Sequence, residues 1–397
     1  MNIAVFGCWN RGCIDGSGQQ AVAQLIKLRE QNYKFMTILG DNYYAKQIKI
    51  GPDNEKIYDT NLEELKNGFE CFSDIKLEKK LIMGNHDITE SYDKYCSVLK
   101  NQLKMPWFDI KFPYGYDLYY VKNNEDYEII LFIYLDTTIY NMDTKKDYCY
   151  ENVTGKSTDV FKQEQNDFLR KTLEQHLERL DIKNIIFFGH EPLFTFKEKI
   201  DKKGNITTKN TLLDELLDIL FEYKLICNKN FYWICADFHI YQNTEITKSD
   251  MENSPKITQW VFGTGGGELE LAGKTMLYEK RDYKITILPN IVFGISHDNN
   301  LRDLSEIYNE PTQNNGRICG VENFGYGEIS FGVGILPTHK FITTGLNNSG
   351  SIFNNNPIVE PDSTLKQTGG QTNLDTKYKA KYIKYKNKYL NLKNLTR

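Results

Sequence analysis

The sequence predicts an α/β protein, and three observations carry that prediction. Short apolar runs alternate with helical patterns along most of the 397 residues. The runs are rich in β-branched and aromatic residues and show little polar alternation, as strands buried on both faces do. Five of them are followed at once by a polar cluster. Strands interleaved with helices form a layered sheet, and open α/β sheets hold their ligands beyond the carboxyl ends of the strands.

The expected strands are Ile3–Phe6, Phe35–Leu39, Lys80–Met83, Glu128–Leu135, Asn184–Phe188, Phe231–Cys235 and Thr258–Phe262. Helical spacing groups Val22, Leu25, Ile26 and Arg29 into one stripe and Leu169, Leu173, Leu177 and Leu180 into another. Residues 345–376 are rich in Asn, Gly, Ser, Thr and Pro without periodicity and read as a linker. After them, Tyr378, Tyr382, Tyr385, Tyr389 and Leu392 mark the seam of a basic amphipathic helix over 377–397. Its two or so heptads make it marginal on its own.

Forty per cent hydrophobic residues and 13% aromatic are ample for a packed core. No run approaches the roughly 20 apolar residues of a membrane span. The stretch Met1–Gly7 enters a strand without a basic start, so no signal peptide is expected and the chain reads as intracellular. None of the eight Cys forms a Cys-x-x-Cys pair, and they read mostly as reduced, buried thiols. Residues 377–397 carry seven Lys, one Arg and no acid. The whole chain is −4, so the remainder is −12. An acidic body argues against a nucleic-acid-binding core. The basic tail fits an acidic partner, an acidic surface or nucleic acid, or stays a solvated appendage.

The polar clusters are FGCWN (6–10), GDNYY (40–44), GNHD (84–87), GHEP (189–192) and ADFH (236–239). Asp41, His86, Asp87, His190, Asp237 and His239 are metal-ligand types, and Asn85 can offer a carbonyl oxygen. A pair of ions needs a bridging carboxylate, for which Asp41 is a candidate. Such pairs clamp a phosphate and generate a nucleophile from water near neutral pH, and a nearby His can protonate the leaving oxygen. His176, His297 and His339 lie outside these clusters and read as structural. Gly263–Gly267 lacks the Lys-Ser/Thr of a P-loop and reads as backbone passing close to the site.

GDNYY, GNHD, GHEP and DFH, in this order, resemble the calcineurin-like metallophosphoesterases. Tyr44, three places after Asp41, resembles the purple acid phosphatase branch. The resemblance implies a layered β-sandwich flanked by helices over residues 1–344 and a phosphomonoester hydrolase using a metal-bridging hydroxide. It assigns Asp41 as the bridging ligand. Tyr44 and His239 go to one metal, Asn85 and His190 to the other. His86 becomes the catalytic acid, with Asp87 orienting it. In the family pattern Cys8 replaces an Asp ligand and Asp237 replaces a His ligand, and both replacements can coordinate. A soft thiolate favours Zn²⁺ or Fe²⁺ and disfavours an Fe³⁺–tyrosinate pair. Two divalent ions (Zn, Mn or Fe) are therefore expected. Glu191 stands where related enzymes carry a His and would repel a phosphate dianion. The implied substrate is a phosphorylated small molecule or protein. The rival reading is a phosphoesterase fold kept as a scaffold after these changes. The Lys/Tyr-rich tail resembles tails of giant DNA virus proteins, which implies host cytoplasm or virion.

Overall fold

The computed structural model describes residues 1–344 apart from 11–12, 14–16, 51–55, 60, 91–95, 124–125, 142–147, 201–205, 250–253, 267–276, 296–299 and 306–323. The chain divides into two compact units, Met1–Ile358 and Val359–Arg397. The expected linker, the basic helix, Gly267 and His297 lie outside the described residues.

In chain order the strands are β1 (Asn2–Phe6), β2 (Phe35–Leu39), β3 (Lys46–Ile50), β4 (Lys56–Asp59), β5 (Glu78–Ile82), β6 (Asp109–Ile110), β7 (Tyr114–Asn123), β8 (Asp126–Leu135), β9 (Ile182–Phe188) and β10 (Phe194–Ile200). They continue with β11 (Ile206–Leu212), β12 (Asn230–Cys235), β13 (Tyr241–Lys248), β14 (Ile257–Phe262), β15 (Leu277–Lys280), β16 (Tyr283–Ile287), β17 (Val292–Ile295), β18 (Leu301–Asp303), β19 (Gly325–Gly332) and β20 (Ile335–Thr343). The helices are α1 (Gly18–Leu28), α2 (Leu62–Glu70), α3 (Ser97–Gln102), α4 (Thr138–Asn141), α5 (Tyr148–Thr154), α6 (Thr158–Leu177) and α7 (Asp214–Ile226). Among the described residues no helix is long and apolar enough to cross a membrane.

Two eight-stranded sheets form the body. Their orders are β18-β17-β20-β19-β1-β2-β5-β6 and β15-β16-β13-β14-β12-β9-β8-β7. The centre of each is parallel: β1-β2-β5 in the first, β8-β9-β12-β14 in the second. Every expected strand is present within about two residues of its expected bounds.

The absence of polar alternation has a direct structural cause. Ile130, Phe132 and Tyr134 of β8 pack between the sheets against Ile3, Val5 and Phe35. The intervening Ile129, Leu131 and Ile133 pack against Leu169 and Leu173 of α6 and Leu216, Leu217 and Leu220 of α7. Ala4 and Phe6 of β1 face Val22 and Ile26 of α1 and Leu65 and Phe69 of α2. Each central strand therefore buries both faces, in a helix–sheet–sheet–helix stack. The α6 stripe ends earlier than its spacing implies. The helix stops at Leu177, and Leu180 lies past its end, 92% exposed.

The thiol reading needs a correction. Cys13 pairs with Cys71 and Cys96 with Cys149 in disulfides. Their separations of 58 and 53 residues leave no local motif to read. Cys8, Cys227 and Cys235 remain outside disulfides.

Candidate metal centre

Gly7-Cys8 follows β1, Gly40-Asp41 follows β2, Gly84-Asn85 closely follows β5, Gly189-His190 follows β9 and Ala236-Asp237 follows β12. These parallel strands, three in one sheet and two in the other, each end in one of the five polar clusters. Cys8, Asp41 and Asp237 all take left-handed backbone, at φ of 56°, 53° and 53°. That conformation is uncommon outside glycine and concentrates where a site demands it. Here it turns each chain sharply off its strand, so the side chain stands at the sheet edge. Gly40, at φ 85°, and Gly84 allow the loops to close up. A Cβ on Gly40 would lie 2.6 Å from His190 Nδ1, and one on Gly84 would lie 2.4 Å from the Asp41 amide nitrogen.

The two oxygens of Asp41 face different neighbours. Oδ2 accepts from the Tyr44 hydroxyl at 3.1 Å and lies 3.9 Å from Cys8 Sγ. Tyr44 is 3.0 Å from His239 Nε2. Ligand atoms of Cys8, Asp41 and His239 lie within 4.8 Å of one another. Oδ1 accepts the His86 amide at 3.0 Å and sits 3.1 Å from His190 Nε2. That nitrogen is also 3.0 Å from Asn85 Oδ1 and 3.8 Å from Asp237 Oδ1.

His190 is the informative member. Its Nδ1 meets the Leu39 carbonyl at 2.7 Å. A carbonyl only accepts, so Nδ1 carries a proton and Nε2 is the nitrogen turned to the site. Nε2 faces three oxygens, an arrangement that needs a cation or proton between them. The titration follows: burial opposes a charged ring, but Asp41 foremost, with Asp237 and Leu39, raises His190 to about 10. Asp41 is the counterpart. Burial favours its neutral form, yet His190 and His86 hold its carboxyl well below the ordinary range. By donor type, tautomer and shared carboxylate, these residues fit a pair of divalent ions.

The other expected site residues divide. The His86 ring lies over the Tyr44 ring, with centroids 4.4 Å apart, at the partly exposed side of the cluster. Asp87 turns toward the loops. Its carboxylate accepts from the Asn42 amide at 2.9 and 3.1 Å, Asn42 Nδ2 at 3.0 Å, the Gly84 amide at 2.8 Å and Gln102 Nε2 at 2.8 Å. It thus joins the Asp41 loop to the Asn85 loop, where orientation of His86 was expected. Burial first, then Asp41, raises it to about 6. Glu191 is buried and hydrogen-bonded by Asn141. Burial and Asp237 push its carboxyl well above the ordinary range, which favours its neutral form and weakens the expected repulsion of phosphate.

Sequence reasoning missed Asn42, Gln102 and the Leu39 carbonyl. Asn42 lies inside a motif and could have been found there, whereas Gln102 has no local signal. The expected close passage of 263–266 is present: the Gly265 amide donates to the Gly7 carbonyl at 3.0 Å, and a Cβ on Gly263 would lie 1.9 Å from the Phe238 carbonyl oxygen.

The family model for calcineurin-like phosphoesterases matches residues 1–254. A search of the curated proteins finds no match. Among solved structures, the chain is similar to GAP50, the anchor in the inner membrane complex of Plasmodium. The identity is 13%, over 89% of this chain and 86% of that one, with a TM-score of 0.49. It is also similar to PhoD at 11% identity, over 83% of this chain and 63% of that one, with a TM-score of 0.43.

Proposed function

The chain belongs to the calcineurin-like phosphoesterases, and on that premise we propose that it hydrolyses phosphate esters with two divalent metal ions. Asp41 is shared between them. Cys8, Tyr44 and His239 would hold one ion, and Asn85, His190 and Asp237 the other. The observation that carries the reading is His190 Nε2 set 3.1, 3.0 and 3.8 Å from oxygens of Asp41, Asn85 and Asp237. The same geometry supports a retained site over the scaffold reading, because the two replaced ligands, Cys8 and Asp237, sit among the others.

Bound divalent ions would supply positive charge to the phosphate oxygens and acidify a water. The chain's own residues do the rest. The Leu39 carbonyl fixes the His190 tautomer. Asp87 locks the two ligand loops together. His86, at the open side of the cluster, gives a proton to the leaving oxygen. Cys8 is the softest donor and biases the pair toward Zn²⁺ or Fe²⁺ over Mn²⁺. Tyr44, within hydrogen-bond distance of Asp41 and His239, supports the purple acid phosphatase branch, and with it a phosphomonoester on a small molecule or protein as substrate.

The test is turnover of a phosphomonoester panel by the full chain loaded with Zn²⁺, Mn²⁺ or Fe²⁺. Asp41→Asn should abolish it, and His86→Ala should lower kcat by about 10²–10⁴-fold. An unchanged kcat for His86→Ala would remove the acid role. No turnover by a metal-loaded chain would favour the scaffold.

A further inference from the structure

We propose that Gln102 is a positioning residue for this site, acting through Asp87, and that the Cys96–Cys149 disulfide holds the helix that carries it. The proposal rests on the metal-centre reading above. Gln102 is fully buried at the last position of α3. Its Nε2 donates to Asp87 Oδ1 at 2.8 Å. Its Oε1 is buried and has no hydrogen-bond partner among the described residues. A buried carbonyl left unpaired is a standing cost. An apolar side chain would avoid that cost, since Val98, Leu99, Met105 and Phe108 already form an apolar cluster there. The one hydrogen bond that the Gln102 side chain makes among the described residues points to its use.

Its partner explains why that use reaches the site. The Asp87 carboxylate accepts from both the Asn42 and Gly84 amides. Those residues adjoin Asp41 and Asn85, so the angle of the carboxylate sets how far apart two ligands stand. Gln102 fixes that angle by donating to Oδ1, the oxygen that also accepts the Asn42 amide. Outer groups that fix ligand orientation influence metal affinity strongly.

The helix cannot hold Gln102 alone, because six residues are far too few for an independent helix. Cys96, immediately before α3, takes left-handed backbone at φ 54° and is bonded to Cys149 of α5. That covalent tie anchors the start of α3 and leaves Gln102, at its end, in register with Asp87. The device needs no contact between the disulfide and the metal ligands.

The experiment measures Mn²⁺ and Zn²⁺ affinity of the full chain by competition with a chromophoric chelator, well below the unfolding temperature. The chains compared are the wild type, Gln102→Met, the Cys96→Ser/Cys149→Ser pair and all three changes together. Thr244→Val, which removes a buried hydrogen bond in β13, serves as the control for general destabilisation. Gln102→Met should weaken affinity by about 10–100-fold. The serine pair should weaken it in the same direction, and the combination should be no weaker than the worse of the two. Thr244→Val should leave affinity unchanged. Wild-type affinity in Gln102→Met, an equal loss in Thr244→Val, or losses that multiply in the combination would overturn the proposal while leaving the metal centre standing. A wild type that takes up neither ion would overturn both.

Discussion

At the scale of single residues, the same side chain chemistry serves stability in one place and the site in another. His190 and His339 are both buried, yet their surroundings drive them oppositely. His190 meets carboxylates. His339 stacks on Trp260 with ring centroids 4.2 Å apart, and its Nε2 lies 2.8 Å from the Tyr241 hydroxyl. Burial alone lowers His339 to about 3. The unfolded chain binds this proton near pH 6.5 and the native chain does not until about 3. The neutral ring's contribution is therefore complete above pH 6.5 and is lost as pH falls toward 3. His339→Gln should flatten the fall in unfolding free energy between pH 7 and about 4. Denaturant titrations at several pH values would show it, and parallel curves for variant and wild type would refute it. Most of the site was legible at this scale because ligand types stand in short motifs. Cys8 and Asp237 were legible as departures whose side chains are still of metal-ligand type. Gln102 was not, because its meaning depends on a helix end that only the fold brings to Asp87.

At the scale of elements, the apolar runs without alternation announced the central strands, since burial on both faces leaves no polar period to find. The outer strands were harder. The run Tyr114–Asn123 is polar and half-exposed, and β15 to β20 are short or antiparallel strands whose partners are set by the sheet. Lys80 shows what such pairing adds. It sits on β5 with its side chain 2% exposed, and its ammonium reaches Glu78 on the same strand, Asp109 on β6 and Asp117 on β7 in the other sheet. The aromatic faces of Phe35, Tyr119 and Tyr134 surround it. Together with Lys111, which also reaches Asp109 and Asp117, this cation joins the two sheets. Lys80→Met should cost stability toward the lower end of the roughly 3–5 kcal/mol seen when one partner of a buried pair is removed, because the three carboxylates keep some solvent. Glu78→Gln should cost less than about 1 kcal/mol, since that carboxylate is largely exposed. Equal losses in the two variants would show that the network does not centre on Lys80.

At the scale of the whole molecule, the layered architecture followed from composition and order, whereas the covalent cross-links did not. Cysteines 53 and 58 residues apart give no sign of pairing until the chain has folded. The tail at 377–397 is known only as a basic, tyrosine-striped sequence on an acidic chain. We read it as an appended contact segment for an acidic partner or nucleic acid. Deleting it should leave turnover intact and change assembly or location, and a deletion without effect on either would refute that reading. The central claim concerns the site itself. Anomalous diffraction from crystals grown with Zn²⁺, collected on both sides of the zinc absorption edge, tests it most directly. The account predicts two peaks flanking the Asp41 carboxylate, one beside Cys8, Tyr44 and His239 and the other beside Asn85, His190 and Asp237. No peak at Asp41, or peaks confined to other surfaces of the chain, would contradict it.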